Sequence, residues 1–444
     1  MKMKQPNIIV IMTDDQGYAD LSCMGSTDFA TPHLDALASR GARFTCMYSN
    51  SPVCSPSRAS LLTGRYPGNA GVRSILAGHR RASGLMPDTP TLATTLKKLG
   101  YDTACVGKWH LGLAPECRPT ANGFDSFYGF MSGCIDYYSH IFYWDKSTCP
   151  IHDLWENNTE THANGTYFTE LVSERAVAHI REKARSEKPF MLYLGYNAPH
   201  YPMHAPQKYL DRFAHLPWDR RIMAAMISAV DDGIGDITAE LARQGISDNT
   251  LIYFQSDNGP SRETRNWLDG TPDPYYGGSA GMFKGHKFSL FEGGIRVPGI
   301  LCHPAKIKAG QVIGTPVAAM DIFPTVLKAA GGSPDDYALD GVDITPVLNG
   351  CEKHPHDMLF WEMGNQTAVR RGDYKLVLNG QTVEDGDVAA PVFLSNLADD
   401  PSEKNNLAGA LPELAETLAS AATQWRAGIE KTWEEKFAGR YRLA

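Results

Sequence analysis

An apolar run, NIIVIM from Asn7 to Met12, lies near the start of the chain, and the acidic pair Asp14-Asp15 follows after one residue. A continuous run of this kind is typical of a strand buried on both faces of a sheet. The segments Pro189–Tyr196 and Thr250–Gln255 have the same character. Strands like these that alternate with helices indicate an α/β fold with a large, mainly parallel sheet sandwiched by helices.

Helical patterns separate these runs along residues 1–350. Thr31-Pro32 places a capping residue before a proline at the first helical position, and Gly41 marks the end of that helix. The other predicted helices are Thr91–Leu99, Thr169–Ser186 and Trp218–Arg243, and the other predicted strands are Thr103–Val106 and Val297–His303. We therefore expect crossover units within one catalytic α/β domain over residues 1–350.

The pattern changes after residue 350. Short stretches of alternating polarity, typical of an antiparallel sheet, precede a last helical pattern. The stretches are Leu359–Glu362, Ala368–Arg371, Tyr374–Leu378 and Val392–Leu397, and the helix is Pro412–Lys431. The sequence predicts a smaller C-terminal α+β subdomain over residues 351–444.

The composition excludes several classes of protein. The chain has 444 residues, 43% of them hydrophobic and 21% charged, which supports a buried core and argues against a disordered chain. Its formal net charge of −8 argues against a nucleic-acid binder. No apolar run approaches the roughly 18 residues of a membrane span, so we expect no membrane association. No secretory signal is visible, so we expect a cytoplasmic protein, or an exported one whose signal has been removed.

Reactive side chains follow four of the predicted strands. They are Asp14-Asp15, Lys108 with His110, His200, and Asp257-Asn258. Because ligands bind at the carboxyl ends of the strands in open α/β sheets, we expect these groups to meet in one site. The two acidic pairs offer only hard oxygen donors, which suit Ca²⁺ or, alternatively, Mg²⁺.

Cys54 lies at a predicted helix start, just before Pro56 and with Arg58 on the same helix. A helix N-terminus and a nearby guanidinium both favour the thiolate, so we expect a lowered thiol pKa and a reactive residue. The alternative is a buried structural cysteine, which is the expected role for most of the nine cysteines.

The segment Cys54-Ser55-Pro56-Ser57-Arg58 resembles the C-x-P-x-R signature of the formylglycine-dependent (type I) sulfatases of the alkaline phosphatase superfamily. Further segments resemble later motifs of that family, in order along nearly the whole chain. They are Gly107–Gly112, Asn197–Pro202, Asp257–Gly259, Gly285–Pro298, Arg371–Leu376 and Asp400–Glu403. The resemblance implies an alkaline-phosphatase-like fold and hydrolysis of a sulfate monoester.

The resemblance also implies a covalent mechanism. In similar proteins a maturation enzyme oxidises the signature cysteine, here Cys54, to formylglycine, an aldehyde that hydrates to a diol. One hydroxyl attacks sulfur to form a sulfate ester, and the second then expels sulfate and restores the aldehyde. The implied ligands of a single Ca²⁺ ion are Asp14, Asp15, Asp257, Asn258 and the diol formed from Cys54.

The remaining motif residues have implied roles in charge and proton transfer. Arg58 would hold the diol, while Lys108 and Lys287 would bind the sulfuryl group and neutralise its charge. His200 would contact the substrate and protonate the leaving alcohol, and His110 would take a proton from the second hydroxyl.

Aromatic loops are candidate walls of the substrate pocket, with packing of their own rings as the equal alternative. The stretch from Gly123 to Asn164 contains Trp144, and Arg262–Tyr276 contains Trp267, Asp269 and Asp273. Ring faces beside polar groups suit sugar or aryl binding, and we expect a sulfated saccharide. His204 and His286 are further candidates for this pocket.

Three other functions fit the same motifs. They are an arylsulfatase of broad specificity, a phosphate or phosphonate ester hydrolase of the same superfamily, and a glycan receptor in which Cys54 is never matured. Two-metal phosphatases of the superfamily usually have histidines among their metal ligands, whereas Asp257-Asn258-Gly259 favours one hard ion. The complete set of lysines and histidines argues against a receptor. The oligomeric state stays open.

Overall fold

The computed structural model describes residues 5–144, 150–265, 271–351 and 353–439. The strands are β1 Asn7–Thr13, β2 Ala42–Tyr48, β3 Asp102–Lys108, β4 Ser126–Phe130, β5 Ile141–Phe142, β6 Ile151–His152, β7 Trp155–Glu156, β8 Thr159–Glu160, β9 Phe190–Gly195, β10 Thr250–Ser256, β11 Glu263–Arg265, β12 Pro272–Tyr275, β13 Arg296–Cys302, β14 Gln311–Ile313, β15 Val317–Ala318, β16 Leu359–Met363, β17 Gln366–Arg371, β18 Tyr374–Leu378 and β19 Val392–Asn396. The helices are α1 Pro32–Ser39, α2 Cys54–Thr63, α3 Pro67–Ala70, α4 Leu92–Lys98, α5 Phe168–Lys183, α6 Gln207–Leu210, α7 Trp218–Arg243, α8 Glu292–Ile295, α9 Ile322–Ala329, α10 Thr345–Leu348 and α11 Pro412–Lys436.

An 11-stranded sheet forms the centre of the larger part of the molecule. Its middle strands are parallel and lie in the order β10-β1-β9-β3-β4. Every residue of β1 is buried: Ile9 and Ile11 belong to one apolar core, and Ile8 and Val10 belong to another on the opposite face. The first core includes α5 and α7, and the second includes α2, α4 and α9, so helices cover both faces as predicted.

Strand β13 is antiparallel to both of its neighbours, β10 and β2, so the sheet is mixed. Parallel neighbours need a long crossover connection, which is usually a helix. Between β10 and β13, the described residues contain one helix, the single turn α8, and the chain turns back at the same edge. The prediction of a mainly parallel sheet is confirmed, although β13 and, at the other edge, β7 are antiparallel to both of their neighbours, which the sequence did not indicate.

The four strands β16 to β19 form an antiparallel sheet in sequential order. Leu418 and Ala422 of α11 pack against Val369 and Leu376 of this sheet. The predicted antiparallel sheet and final helix are therefore confirmed, and the helix continues to Lys436 instead of ending at Lys431. The domain boundary between residues 350 and 351 stays a prediction. Within the described ranges, no helix is long and apolar enough to cross a membrane.

Candidate active site

The carboxyl ends of four neighbouring strands bring the predicted site residues together. The residues are Asp14 and Asp15 after β1, Asp257 and Asn258 after β10, Lys108 at the end of β3 and His200 after β9. Because these strands are parallel and adjacent in the order β10-β1-β9-β3, all six residues lie at one edge of the sheet. The structure therefore brings these six residues together at the strand ends, as the strand pattern predicted.

The two acidic pairs are in direct contact. The Asp15 N–H donates to Asp257 Oδ1 at 3.2 Å, and Asn258 Nδ2 donates to Asp15 Oδ1 at 2.7 Å. Asp15 has a φ of 62°, in the left-handed region that aspartate tolerates better than most residues. The pairs therefore form one buried acidic cluster and not two separate turns.

Three buried cations neutralise this acidic cluster. Lys108 Nζ hydrogen-bonds to Asp14 Oδ2. Lys287 Nζ lies 2.8 and 2.9 Å from the two carboxylate oxygens of Asp15. Arg58 donates to Asp257 Oδ2 through Nε at 3.2 Å and Nη2 at 2.8 Å. Each cation that the motifs indicated is thus paired with one carboxylate of the cluster.

Burial and charge act differently on the two adjacent aspartates. Burial, together with the nearby Asp257 carboxylate, raises the pKa of Asp14 well above its usual value, although Lys108 opposes the shift. Burial also raises the pKa of Asp15, but Lys287 and His200 outweigh it and lower that pKa to about 2. Burial and the Asp257 carboxylate thus outweigh the lysine at Asp14, and one more cation beside Asp14 would favour its charged form.

The donor set fits a hard metal ion. Asp14 Oδ1 and Asn258 Oδ1 are buried and have no hydrogen-bond partner among the described residues, whereas buried polar atoms normally have one. Ligand atoms of Asp14, Asp15 and His200 lie within 4.8 Å of one another. Carboxylate and amide oxygens are the donors that Ca²⁺ prefers. The closeness of His200 to the carboxylates is a feature that the predicted ligand set did not include.

Cys54 is the first residue of α2, as predicted, and all ten residues of this helix are buried. The helix ends at Gly64, whose φ of 66° suits a residue without a side chain. The expectation of a lowered thiol pKa is wrong. Burial raises the pKa of Cys54, and the lysines Lys108 and Lys287 offset this only in part. The unmodified side chain is therefore a neutral thiol at pH 7.

His110 is buried beside Cys54 and keeps one nitrogen without a partner. Its Nε2 lies 3.2 Å from the Leu76 carbonyl oxygen, and its Nδ1 has no hydrogen bond within the described part of the chain. Burial, followed by the charge of Lys108, lowers the pKa of His110 well below its usual value. The ring is therefore neutral at pH 7 and can accept a proton.

His200 is also buried, and its ring is oriented by a backbone carbonyl. Its Nδ1–H donates to the Tyr201 carbonyl oxygen at 2.6 Å, and its Nε2 lies 3.6 Å from Asp15 Oδ2. Burial and the charge of Lys287 lower the pKa of His200 to about 3. The Nε2 atom is thus the nitrogen available for proton transfer.

A cavity of about 380 Å³ lies beside these groups, and its lining includes Cys54, His110, His200 and Lys287. Part of its wall is aromatic and consists of Phe142, Trp144 and Phe288. Trp144 stacks on Tyr143, with ring centroids 4.2 Å apart. The predicted aromatic wall at Trp144 is therefore next to the reactive groups, whereas Trp267 and Asp269 lie outside the described residues.

Two predicted pocket residues lie elsewhere, and other residues take part that no motif indicated. His204 and His286 are not in the lining of this cavity as far as the structure describes it. Tyr193 accepts a hydrogen bond from Arg58 Nη1 at 3.3 Å, and Glu263 and Glu384 line the cavity. An aromatic residue within an apolar strand, or a single acid outside any motif, carries no signal of such a role.

Comparison with known proteins identifies the family. The Sulfatase family model matches residues 6–333, a segment that contains the whole acidic cluster and its cations. The chain belongs to the sulfatase family. This sulfatase is 31% identical to arylsulfatase J of Mus musculus over 95% of the chain and 76% of that protein. It is 34% identical to N-acetylgalactosamine-6-sulfatase of Homo sapiens over 83% of the chain and 71% of that protein.

A solved structure supports the same assignment at the level of the fold. The crystal structure of Ps i-CgsB in complex with k-i-k-neocarrahexaose has a TM-score of 0.83 and 32% sequence identity, and the match covers 95% of this chain and 92% of that one. The resemblance seen in the motifs and the alkaline-phosphatase-like fold are therefore confirmed. This sulfatase is an enzyme that hydrolyses sulfate esters.

Proposed function

We propose that this sulfatase removes sulfate from a sulfated saccharide, with a formylglycine derived from Cys54 as nucleophile and one Ca²⁺ ion in the acidic cluster. The observation that carries the proposal is the cavity that Cys54 shares with His110, His200 and Lys287, directly beside that cluster. Attack on sulfur, charge neutralisation and proton transfer need these parts at one place.

The metal would be held by oxygen donors at the two strand ends, Asp14, Asp15, Asp257 and Asn258. Ca²⁺ would supply Lewis-acid polarisation of the sulfate and lower the pKa of a hydroxyl group beside it. The partnerless oxygens of Asp14 and Asn258 support this assignment. We propose that His200 stays a proton donor and not a ligand, because Ca²⁺ sites are built from oxygen atoms.

Cys54 would need a formylglycine-generating maturation enzyme, because a thiol supplies neither of the two hydroxyl groups that the mechanism uses. The hydrated aldehyde would supply one hydroxyl for attack and a second to expel sulfate. Arg58, which is fixed by Asp257 and by the Tyr193 hydroxyl, would hold a positive charge beside the nucleophile. Lys108 and Lys287 would bind sulfuryl oxygens and stabilise charge in the transition state.

The two neutral histidines would divide the proton transfers. His200, whose Nδ1–H is held by the Tyr201 carbonyl, would first take up a proton at Nε2 and then donate it, as the imidazolium, to the leaving alcohol. An anionic sulfate beside Lys287 offsets that lysine's charge, which raises the pKa of His200 in the complex. His110, with its unpartnered Nδ1, would accept the proton of the second hydroxyl.

The stacked rings of Tyr143 and Trp144 support a saccharide as the substrate class, because aromatic faces suit the apolar faces of sugars. Two of the relatives described above are consistent with this class. One is named as an N-acetylgalactosamine-6-sulfatase, and the other was solved with neocarrahexaose.

The test is release of inorganic sulfate by protein whose aldehyde at residue 54 has been verified by mass spectrometry. Defined sulfated mono- and disaccharides are compared with an aryl sulfate and with matched phosphate mono- and diesters. We expect the highest kcat/KM for a saccharide sulfate. A higher value for the aryl sulfate or a phosphate ester would make the enzyme a broad arylsulfatase or a phosphate ester hydrolase.

The Trp144→Ala variant tests the saccharide part of the proposal. We expect kcat/KM for the saccharide sulfate to fall by about tenfold, because a stacking surface is lost. The matched control is Trp218→Ala, since Trp218 is 60% exposed and is not part of the cavity lining. Equal values for wild type and Trp144→Ala would contradict a role of this ring in sugar binding.

A further inference from the structure

His200 takes its position from the loop that carries it, residues 197–204 after β9. The ring is bonded through Nδ1–H to the carbonyl oxygen of the next residue, Tyr201, at 2.6 Å. The His200 N–H donates to the Asn197 carbonyl oxygen at 2.9 Å, which closes the turn at the start of this loop. The imidazole therefore moves with the backbone of the loop, and its Nε2 atom is placed correctly only where that backbone is held.

A second loop, which contains residues 135–137 after β4, holds the first one. Tyr137 Oη donates to the His200 carbonyl oxygen at 2.9 Å, and Asn197 Nδ2 donates to the Ile135 carbonyl oxygen at 3.2 Å. Tyr137 is fully buried, so bulk water does not compete for its hydrogen bond. Two hydrogen bonds thus join the loops, and one of them ends on the backbone of His200 itself.

A neighbouring tyrosine makes an equivalent contact farther from His200. The ring of Tyr167 stacks on the ring of Tyr137, with centroids 5.4 Å apart, and both residues are buried. Tyr167 Oη donates to the His204 carbonyl oxygen at 2.9 Å. The two hydroxyl groups therefore bind the same loop four residues apart, and a comparison of the two separates holding His200 from holding the loop in general.

We infer that Tyr137 is a positioning residue that holds His200 where it can protonate the leaving alcohol. The inference rests on the proposed function. Without the Tyr137 hydroxyl, the buried His200 carbonyl loses this hydrogen bond, and a buried acceptor that has lost its donor favours a shift of the backbone. A displacement of about 1 Å in a group that takes part in the chemistry can lower the rate by about 10²-fold.

The dependence of the rate on the leaving group identifies this role. As the bond between sulfur and the ester oxygen breaks, that oxygen takes the electron pair and receives the proton from His200 Nε2. A sugar alkoxide is a poor leaving group and needs this proton, whereas a nitrophenolate is stabilised by its own ring and leaves without it. Because attack on sulfur is common to both esters, damage to the rest of the site slows both, while misplacement of His200 slows the saccharide sulfate selectively.

The experiment measures kcat/KM, which reports the steps up to release of the alcohol, for the best saccharide sulfate and for nitrophenyl sulfate. All variants carry the aldehyde at residue 54, verified by mass spectrometry. We expect Tyr137→Phe to lower the value for the saccharide sulfate by about 10- to 10²-fold and to leave that for nitrophenyl sulfate nearly unchanged. The matched control Tyr167→Phe should leave both values close to those of wild type. His200→Ala should show the same selectivity as Tyr137→Phe with a loss of about 10²–10⁴-fold.

Equal losses for the two substrates in Tyr137→Phe, or no loss for either, overturn the inference and leave the proposed function intact. A loss of the same selectivity in Tyr167→Phe also overturns it, because both tyrosines would then hold the loop in general. If Tyr137→Phe does not fold, Asn197→Leu removes the other hydrogen bond between the loops and should show the same selectivity, and an unselective loss there overturns the inference. An unselective His200→Ala removes His200 as the proton donor of the proposed function, and the inference with it.

Discussion

The acidic cluster of the active site (the site cluster) and a second buried cluster around Lys375 differ in how closely their cations approach the carboxylate oxygens. In the site cluster, Asp14 Oδ1 has no hydrogen bond in the described chain, and the Arg58 guanidinium is 3.9 Å away. In the second cluster, Lys375 Nζ lies 2.9 Å from Glu292 Oε1 and 3.2 Å from Glu403 Oε1. The remaining Glu403 oxygen accepts the Glu292 N–H at 2.6 Å. Like Asp14 Oδ1, Glu403 Oε1 has no hydrogen bond within the described residues, but the Lys375 ammonium group lies closer to it than the Arg58 guanidinium lies to Asp14 Oδ1.

The difference separates a structural cluster from a binding site. The second cluster joins α8, just after the Lys287 segment, to the C-terminal sheet, and its charges compensate one another. The site cluster is equally buried but keeps two oxygens without a hydrogen bond in the described part of the chain, Asp14 Oδ1 and Asn258 Oδ1, and the Arg58 guanidinium is 3.9 Å from the first. Since burying a polar atom without a partner is costly, these oxygens of Asp14 and Asn258 support the metal site proposed above. Burial of charged side chains is common to both clusters and would not by itself have distinguished them.

The largest expected effect comes from removing the proposed nucleophile. We expect Cys54→Ala to lower the rate of sulfate release by at least about 10³-fold. Cys54→Ser should still attack sulfur but lacks the second hydroxyl, so it should release one equivalent of alcohol and then stop. The measurement is burst kinetics with a chromogenic sulfate ester. Steady turnover by either variant would contradict the proposed mechanism.

The two clusters can be compared by removing one lysine from each. In the site cluster, Lys287→Met removes a charge that would stabilise the sulfuryl group, and we expect kcat to fall by about 10²–10³-fold. The matched control is Lys284→Met, because Lys284 packs over the rings of Phe291 and Phe393 and away from the acidic cluster. A loss in the control as large as that in Lys287→Met would show that the effect is structural.

In the second cluster, Lys375→Met should change stability and not chemistry. It leaves the carboxylates of Glu292 and Glu403 buried together, and we expect the free energy of unfolding to fall by about 3–5 kcal/mol. The exposed Lys404→Met serves as the control and should change it by less than about 0.5 kcal/mol. The check is urea unfolding alongside kcat per folded molecule. An unchanged stability, with a loss of kcat like that of Lys287→Met, would reverse the assignment of the two clusters.

The sequence predicted those features of the fold and site that depend on local order. Apolar runs placed the strand ends that carry Asp14, Asp257 and His200, and the bounds of α7 were predicted as Trp218–Arg243. Strand β2 was missed because Arg43 and Thr45 alternate with its buried residues and interrupt the apolar run. Its position between β13 and β14 depends on pairing with distant segments, which no local pattern encodes.

Properties that depend on the complete fold were the ones the sequence could not supply. The predicted thiol pKa of Cys54 was wrong because a helix start and a nearby arginine are visible in the sequence, whereas full burial is not. The hydrogen bond between Arg58 and Tyr193 joins residues 135 positions apart. The acidic wall of the cavity likewise combines Glu263 with Glu384, from different parts of the chain.

Metal binding should stabilise the protein through the site cluster alone. If Ca²⁺ binds to these oxygens, a free Ca²⁺ concentration 100 times the Kd should raise the free energy of unfolding by about 2.7 kcal/mol. Thermal unfolding with and without a chelator measures this, and Mg²⁺ is tested in parallel. The Asn258→Leu variant should lose this metal-dependent increase in stability. The Lys375→Met variant should keep the same increase, although its stability without metal is lower. Stability that is independent of both ions would contradict a metal site.

The smallest expected effect is a pH dependence that arises in the second cluster. Burial raises the pKa of Glu403 from 4.5 to about 7, although Lys375 opposes the shift and Glu292 adds to it. The folded state therefore holds a proton that the unfolded state has lost between these two values, so this group lowers stability as the pH rises from 4.5 to about 7. The slope is at most about 1.4 kcal/mol per pH unit and vanishes above the folded pKa.

Glu403→Gln removes this titration while it keeps the shape of the side chain. The difference in unfolding free energy between wild type and variant should therefore change across that pH interval and level off above it. Glu413→Gln, on the exposed face of α11, should follow wild type throughout. If Glu403→Gln follows wild type as well, Glu403 is ionised in the folded state. The second cluster would then carry an uncompensated charge, and charge compensation would no longer distinguish it from the site cluster.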